Sequence, residues 1–163
     1  MPRRSVDLSN LRAFPVRGNW RYTPATYYSL RSGGSRVHQG HDILGRIGTP
    51  IVSTTNGVID KVFNRAAREG NGVIVVDDMG RRHGYFHFRD PVQLREGQSV
   101  RAGDVLGVLG MSGSAVGPHL HYQIADTSGR RINASTRLLA LAEGERQAGI
   151  LPSMASLNQL QSA

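Results

Sequence analysis

The sequence predicts a mainly β fold, an antiparallel sheet or sandwich with a short helical appendage at its C-terminal end, and three observations carry that reading. Short runs rich in Val, Ile, Thr and aromatic residues recur between glycines. Turn signals return about every ten residues, the rhythm of antiparallel sandwiches and barrels. Twenty glycines supply the tight turns that such a chain needs.

Residues 1–35 are rich in Arg, Pro, Gly, Ser and Tyr without periodicity, and Ser32-Gly33-Gly34-Ser35 closes them like a loop. They are read as an N-terminal arm. From about Val37 to Ile132 strands are expected at Thr49 to Thr54, Gly57 to Phe63, Gly72 to Asp77, Gly84 to Phe88, Asp104 to Leu109 and Leu120 to Ala125. The run Ser135 to Ala142 then reads as an amphipathic helix stopped near Gly144 or Gly149. Met154, Leu157 and Leu160, three apart, permit another turn or two of helix, so residues 134–163 are taken as a C-terminal helical extension.

Composition narrows the chemistry. At 163 residues the chain suits one domain that buries roughly 68–70% of its unfolded surface. Cysteine is absent, which removes disulfides, thiol nucleophiles and thiolate zinc fingers, so any metal must use His, Asp or Glu. Lys61 is the only lysine, a poor basis for Schiff-base or carrier chemistry. A net charge of +8 implies an anionic partner: nucleic acid, a membrane surface or an acidic wall polymer. The longest apolar runs, Val73 to Val76 and Leu138 to Ala142, are far short of the ~20 residues of a membrane span. Met1 to Leu8 lack the apolar stretch of about 7–15 residues of a signal peptide, so a wall-directed role would require delivery by phage or a secretion apparatus to the periplasm or cell wall.

The six histidines are the informative residues. His119-Leu120-His121 sits in an expected strand, where alternation puts both imidazoles on one face. For an isolated His-x-His, a structural pair is the more frequent meaning. His38 and Asp42, four apart on a segment that Gly40, Gly45 and Gly48 keep from helix, also share a side. In Tyr85-Phe86-His87-Phe88, His87 faces the same way as Tyr85, and a lone histidine there is more often a core residue. Together, His38, Asp42 and His121 supply two imidazoles and one carboxylate, leaving a fourth tetrahedral position for water. His87 and His119 would then move protons or stabilise an oxyanion. His41 points to the face opposite Asp42 and reads as structural, His83 as a solvated turn residue, and Asn71 as a turn residue.

From about Arg36 to Ile132 these motifs, in this order, resemble the lysostaphin-type, LytM-like zinc endopeptidases that cut peptidoglycan peptides. The matching residues are His38 to Asp42, Tyr85-Phe86-His87, Gly97-Gln98-Ser99-Val100-Arg101-Ala102-Gly103 and Gly117-Pro118-His119-Leu120-His121. The resemblance implies residues 36–133 as the peptidase domain, a groove across a central sheet, and Zn²⁺ held by His38, Asp42 and His121. It also implies His87 and His119 as the catalytic pair. The chain departs from the family pattern at His41, usually aliphatic, at Val116, commonly Thr, and at Gln123, often Glu. The expected activity is hydrolysis of peptide bonds in peptidoglycan.

Two other classes compete. A non-catalytic peptidoglycan-binding module or activator of other wall hydrolases would have lost ligands, whereas all five positions here carry suitable residues. Nucleic-acid binding is disfavoured: only Arg3-Arg4, Arg81-Arg82 and Arg130-Arg131 pair up, aromatics are 6%, and no recognition motif is present.

Overall fold

A computed structural model describes residues 5–24, 27, 30–31, 36–37 and 39–150. His38, and Met154, Leu157 and Leu160 of the expected terminal helix, lie outside the described residues. The described chain forms eleven strands and one helix. Strands β1 (Trp20–Tyr22), β4 (His41–Gly45), β6 (Gly57–Ala66), β7 (Gly70–Asp77), β8 (Arg82–Phe88), β9 (Ser99–Val100) and β11 (His119–Ala125) build a seven-stranded sheet in the order β1-β4-β11-β8-β7-β6-β9. Its strand pairs are all antiparallel. Strands β5 (Pro50–Val52) and β10 (Val105–Val108) form a separate antiparallel pair, as do β2 (Leu30–Arg31) and β3 (Arg36–Val37).

Alternation along β11 decides which face is which. Leu120, Tyr122 and Ile124 are buried, while His119, His121 and Gln123 are part-exposed on the other face. In β4, Ile43 and His41 are buried and Asp42 is partly open. Side chains of period two can do nothing else once one face is covered. The covered face meets a cluster that joins Ile43, Tyr85 and Leu120 of the sheet to Ile51 and Leu106 of the β5–β10 pair.

Residues from both ends of the chain enter the same core. Leu11, Phe14 and Val16 are fully buried in it, as is Leu138 of helix α1 (Ser135–Gln147). The helix runs through Gly144 and stops at Ala148, where Gly149 takes a φ of 76° that favours glycine. Of the two stops expected, Gly149 is the real one. Arg137 donates to Leu11 O, and Arg17 pairs with Glu145 at 2.6 Å, so helix and N-terminal segment brace each other. Removing the Leu138 side chain from this seam would cost about 2–5 kcal/mol.

Two expectations need correction. His83 is no turn residue. The turn falls earlier, at Asp77 to Arg81, where Asp77 N–H donates to Arg81 O at 2.9 Å, and His83 is fully buried inside β8. Asn71 is likewise a buried strand residue of β7, not a turn residue.

Candidate active site

Register places the site. Asp42 of β4 lies opposite His121 of β11, which lies opposite Phe86 of β8, and these three form a row across the open face. His121 Nδ1 stands 3.2 Å from Asp42 Oδ1. The His121 ring stacks on Phe86 with centroids 5.9 Å apart and planes 18° from parallel. The ring also lies close to Gly40, where a Cβ would fall 2.5 Å from His121 Cε1. Only glycine leaves room there. Gly84 has a related duty: a Cβ at that position would strike the Phe86 ring at 2.8 Å.

His87 reaches the same face by breaking the alternation. Between Asn71 and Val73 of β7 the partners on β8 jump from Phe88 to Tyr85, so β8 carries one extra residue there. His87 sits at this bulge with a φ of 72°, and the bulge puts Phe86 and His87 side by side on the groove while Tyr85 and Phe88 stay in the core. The expectation that His87 faces the same way as Tyr85 is therefore overturned. Several bonds hold the strained residue. His87 N–H donates to Glu69 O at 2.9 Å and its Nδ1 to Ser112 O at 2.7 Å. Ser112 is itself fixed, because its hydroxyl accepts from Asn71 N–H at 3.0 Å and donates to Phe88 O. The segment Gly110 to Ser114 thus holds His87 through Ser112.

A backbone carbonyl only accepts, so the Ser112 contact puts the His87 proton on Nδ1 and leaves the Nε2 lone pair for the groove. Burial, then the neighbouring His119 imidazole, push His87 down to about 4, so it is neutral at pH 7. His119 is tied in the same way, with Nδ1 donating to Gly117 O at 2.8 Å. Its Nε2 stands 3.7 Å from Asp42 Oδ1, and the two rings are 4.8 Å apart. These groups border one groove of about 880 Å³, walled by Phe63, Arg68, Val116 and Arg131 among others.

The donor set suits a small divalent cation. Two ligand atoms each about 2.0–2.1 Å from a tetrahedral zinc stand roughly 3.3 Å apart, and the Asp42 and His121 donors are separated by 3.2 Å. The other His121 nitrogen, Nε2, lies 2.9 Å from Gln123 Oε1, the kind of outer contact that orients a ligating imidazole. Among the described residues no group of three His, Cys, Asp or Glu side chains is close enough to hold a metal. The geometry brings Asp42, His121, His119 and His87 together, and His38 falls outside the described residues.

The opposite face of the same sheet carries His41 and His83, both fully buried. His41 Nδ1 lies 2.6 Å from Tyr22 Oη, and its Nε2 accepts from Ala134 N–H. His83 Nε2 donates to Asp77 Oδ2 at 2.8 Å while its Nδ1 meets Tyr122 Oη at 2.7 Å. Burial lowers the His83 imidazole below its ordinary value against the opposing pull of Asp77. For Asp77 burial acts upward, but bonds from His83, Arg81 N–H and Asn10 outweigh it and hold the carboxyl below its usual range.

A single antiparallel sheet with one open face and one face closed by a core is a fold that this chain shares with lysostaphin and LytM-type peptidases. Residues 36–134 match peptidase family M23, and the chain belongs to that family. It is similar to the peptidoglycan DD-endopeptidase ShyA of Vibrio cholerae, 30% identical over 135 residues that cover 79% of this chain and 30% of that protein. Among solved structures, the putative glycyl-glycine endopeptidase lytM from Ruminococcus gnavus superposes with a TM-score of 0.70 at 25% identity, covering 83% of this chain and 62% of that one. A zinc-containing peptidase from Vibrio cholerae gives 0.62 at 25% identity, over 74% of this chain and 38% of the other. The chain spans between 22% and 41% of the length of the first curated relatives it matches.

Proposed function

We propose that this chain is a zinc-dependent endopeptidase that hydrolyses peptide bonds of bacterial peptidoglycan. The observation that carries the reading is the approach of Asp42 Oδ1 and His121 Nδ1 to 3.2 Å beside two histidines that each have one ring nitrogen anchored. Support for the metal comes from the spacing of that pair, and for the substrate from the relative whose name specifies peptidoglycan. His38, Asp42 and His121 would hold the ion, with residues 36–133 as the peptidase domain, 1–35 as an arm and 134–163 as a helical extension.

A bound zinc supplies Lewis acidity, polarising the scissile carbonyl and making a water acidic enough to react near neutral pH. The chain's residues do the rest. His87, neutral and with Nε2 turned to the groove, accepts the proton that the attacking water loses. The proton then goes to the amine nitrogen released as the peptide bond breaks. His119, with Nδ1–H committed to Gly117 O, offers Nε2 to the same space, and only with that nitrogen also protonated does it donate to the charge developing on the carbonyl oxygen. Phe86 stacks against the His121 ring, and Gly40 leaves the room that the ring occupies.

No helix among the described residues is long and apolar enough to cross a membrane. The net charge of +8 would hold the protein to an anionic wall, with binding that weakens as salt rises. The deciding experiment is incubation of the zinc-loaded protein with purified peptidoglycan, followed by mass spectrometry of released muropeptides. New peptide termini are expected. Intact muropeptides from a protein that demonstrably carries zinc would overturn the activity and leave a binding module.

A further inference from the structure

The outer partner of His121 is an amide, Gln123, and not a carboxylate. A carboxylate has only acceptor oxygens, so an imidazole N–H beside it has one way to bond. A glutamine can turn over and present its NH2 instead, which would make His121 Nε2 an acceptor and move the ring proton to Nδ1, the atom facing Asp42. Something must hold the amide the right way round.

Arg131 does so. After β11 the chain turns tightly, with Asp126 Oδ1 accepting from Ser128 N–H and Arg130 N–H, and returns so that Arg131 pairs with Ala125. From there the Arg131 guanidinium donates through Nη1 to Gln123 Oε1 at 2.5 Å and reaches Gln39 O at 3.4 Å. Guanidinium has donors and no acceptor, so the Gln123 atom that it touches is the oxygen. That same oxygen lies 2.9 Å from His121 Nε2.

We propose, on the reading of the site given above, that Arg131 is a positioning residue for the metal site. By fixing the Gln123 oxygen toward His121 Nε2 it places the ring proton there and leaves Nδ1 to face Asp42 as the ligand atom.

The test measures zinc affinity of the full chain by competition with a chromophoric chelator, alongside long-range ¹⁵N spectra that report which imidazole nitrogen of the metal-free protein bears hydrogen. Arg131→Ala is expected to weaken zinc binding by roughly 10–100-fold and to mix the two His121 ring forms. Arg131→Lys, still donors only, is expected to recover most of the affinity. Gln123→Glu removes the need for the arginine, so adding Arg131→Ala to it should weaken binding by no more than about threefold, far less than the full second-partner loss. Equal losses in both backgrounds would overturn the proposal, because Arg131 would then act through Gln39 or through the fold at large. Wild-type affinity in Arg131→Ala would overturn it too. A wild-type chain that binds no zinc would refute the endopeptidase reading, and the ring-proton spectra would still decide the role of Arg131: an unchanged His121 form in Arg131→Ala rejects it. Should Arg131→Ala unfold, Arg131→Met in the wild-type and in the Gln123→Glu backgrounds makes the same comparison with the side-chain stem kept.

Discussion

The two faces of one sheet use histidine in opposite ways. On the core face, His41 and His83 have both ring nitrogens bound to fixed partners, Tyr22 and Ala134 for one, Asp77 and Tyr122 for the other. On the groove face, His87 and His119 have Nδ1 tied to a backbone carbonyl and Nε2 turned toward the groove. A ring satisfied at both nitrogens is a cross-brace, since a proton it gained would break a bond, as at His41 Nε2, or force its partner to reverse, as at Tyr122 Oη. A ring satisfied at one is oriented, of known tautomer, and still able to take or give a proton. Exposure alone does not separate the sets, because His87 on the groove face is itself only 8% exposed.

Substitutions can break that contrast, beginning with the largest effect. His121→Ala and Asp42→Ala are expected to lose zinc and activity together, activity by more than about 10³-fold, whereas His119→Ala should retain zinc and lose roughly 10²–10⁴-fold in turnover. Atomic spectroscopy and muropeptide release distinguish them; a fully active His119→Ala protein would remove that residue from the mechanism. Next comes Gly40→Ala, whose methyl group would collide with the His121 ring at 2.5 Å. Displacing a reacting group by about an ångström costs about 10²-fold, so kcat should fall by that order while circular dichroism stays native.

The core face should respond in stability instead. His83→Phe leaves Asp77 and Tyr122 without their partner, at an expected cost of about 2–3 kcal/mol in denaturant unfolding, with zinc affinity within about twofold of wild type. Loss of zinc in that variant would contradict the division between faces. The smallest effect is on pH. Both His83 and His87 have folded pKa values below the unfolded ~6.5, so the unfolded chain binds more protons and stability rises with pH in that range. The metal-free protein should therefore lose stability as pH falls below about 6.5, the His87 share down to about 4. The depressed Asp77 carboxyl adds a loss below about 3.8, where the unfolded carboxylate protonates first. Chemical denaturation at several pH values gives the slope, and His87→Gln should flatten it; a slope of opposite sign would refute the assignment.

The sheet face of each histidine was legible only where the strand was regular. Period two set His119 with His121 and put His41 opposite Asp42, and the coordinates agree on both counts. At His87 the same rule failed, because the extra residue in β8 is imposed by contacts with Glu69, Ser112 and Asn71, residues far along the chain or in loops of no marked pattern. His83 was misplaced for a related reason: a polar residue next to two arginines looks solvated until Asp77 and Tyr122 arrive from neighbouring strands.

What the sequence by itself determined was the β class and the family, since these depend on residue type, local alternation and motif order. Tertiary structure alone decided which ring nitrogens are held and which are open, that a bulge turns His87 outward, and that Arg131 reaches Gln123. Those outcomes depend on atoms brought within about 3 Å by strand pairing between distant segments, and hydrogen-bond direction at that range has no counterpart in the order of residues.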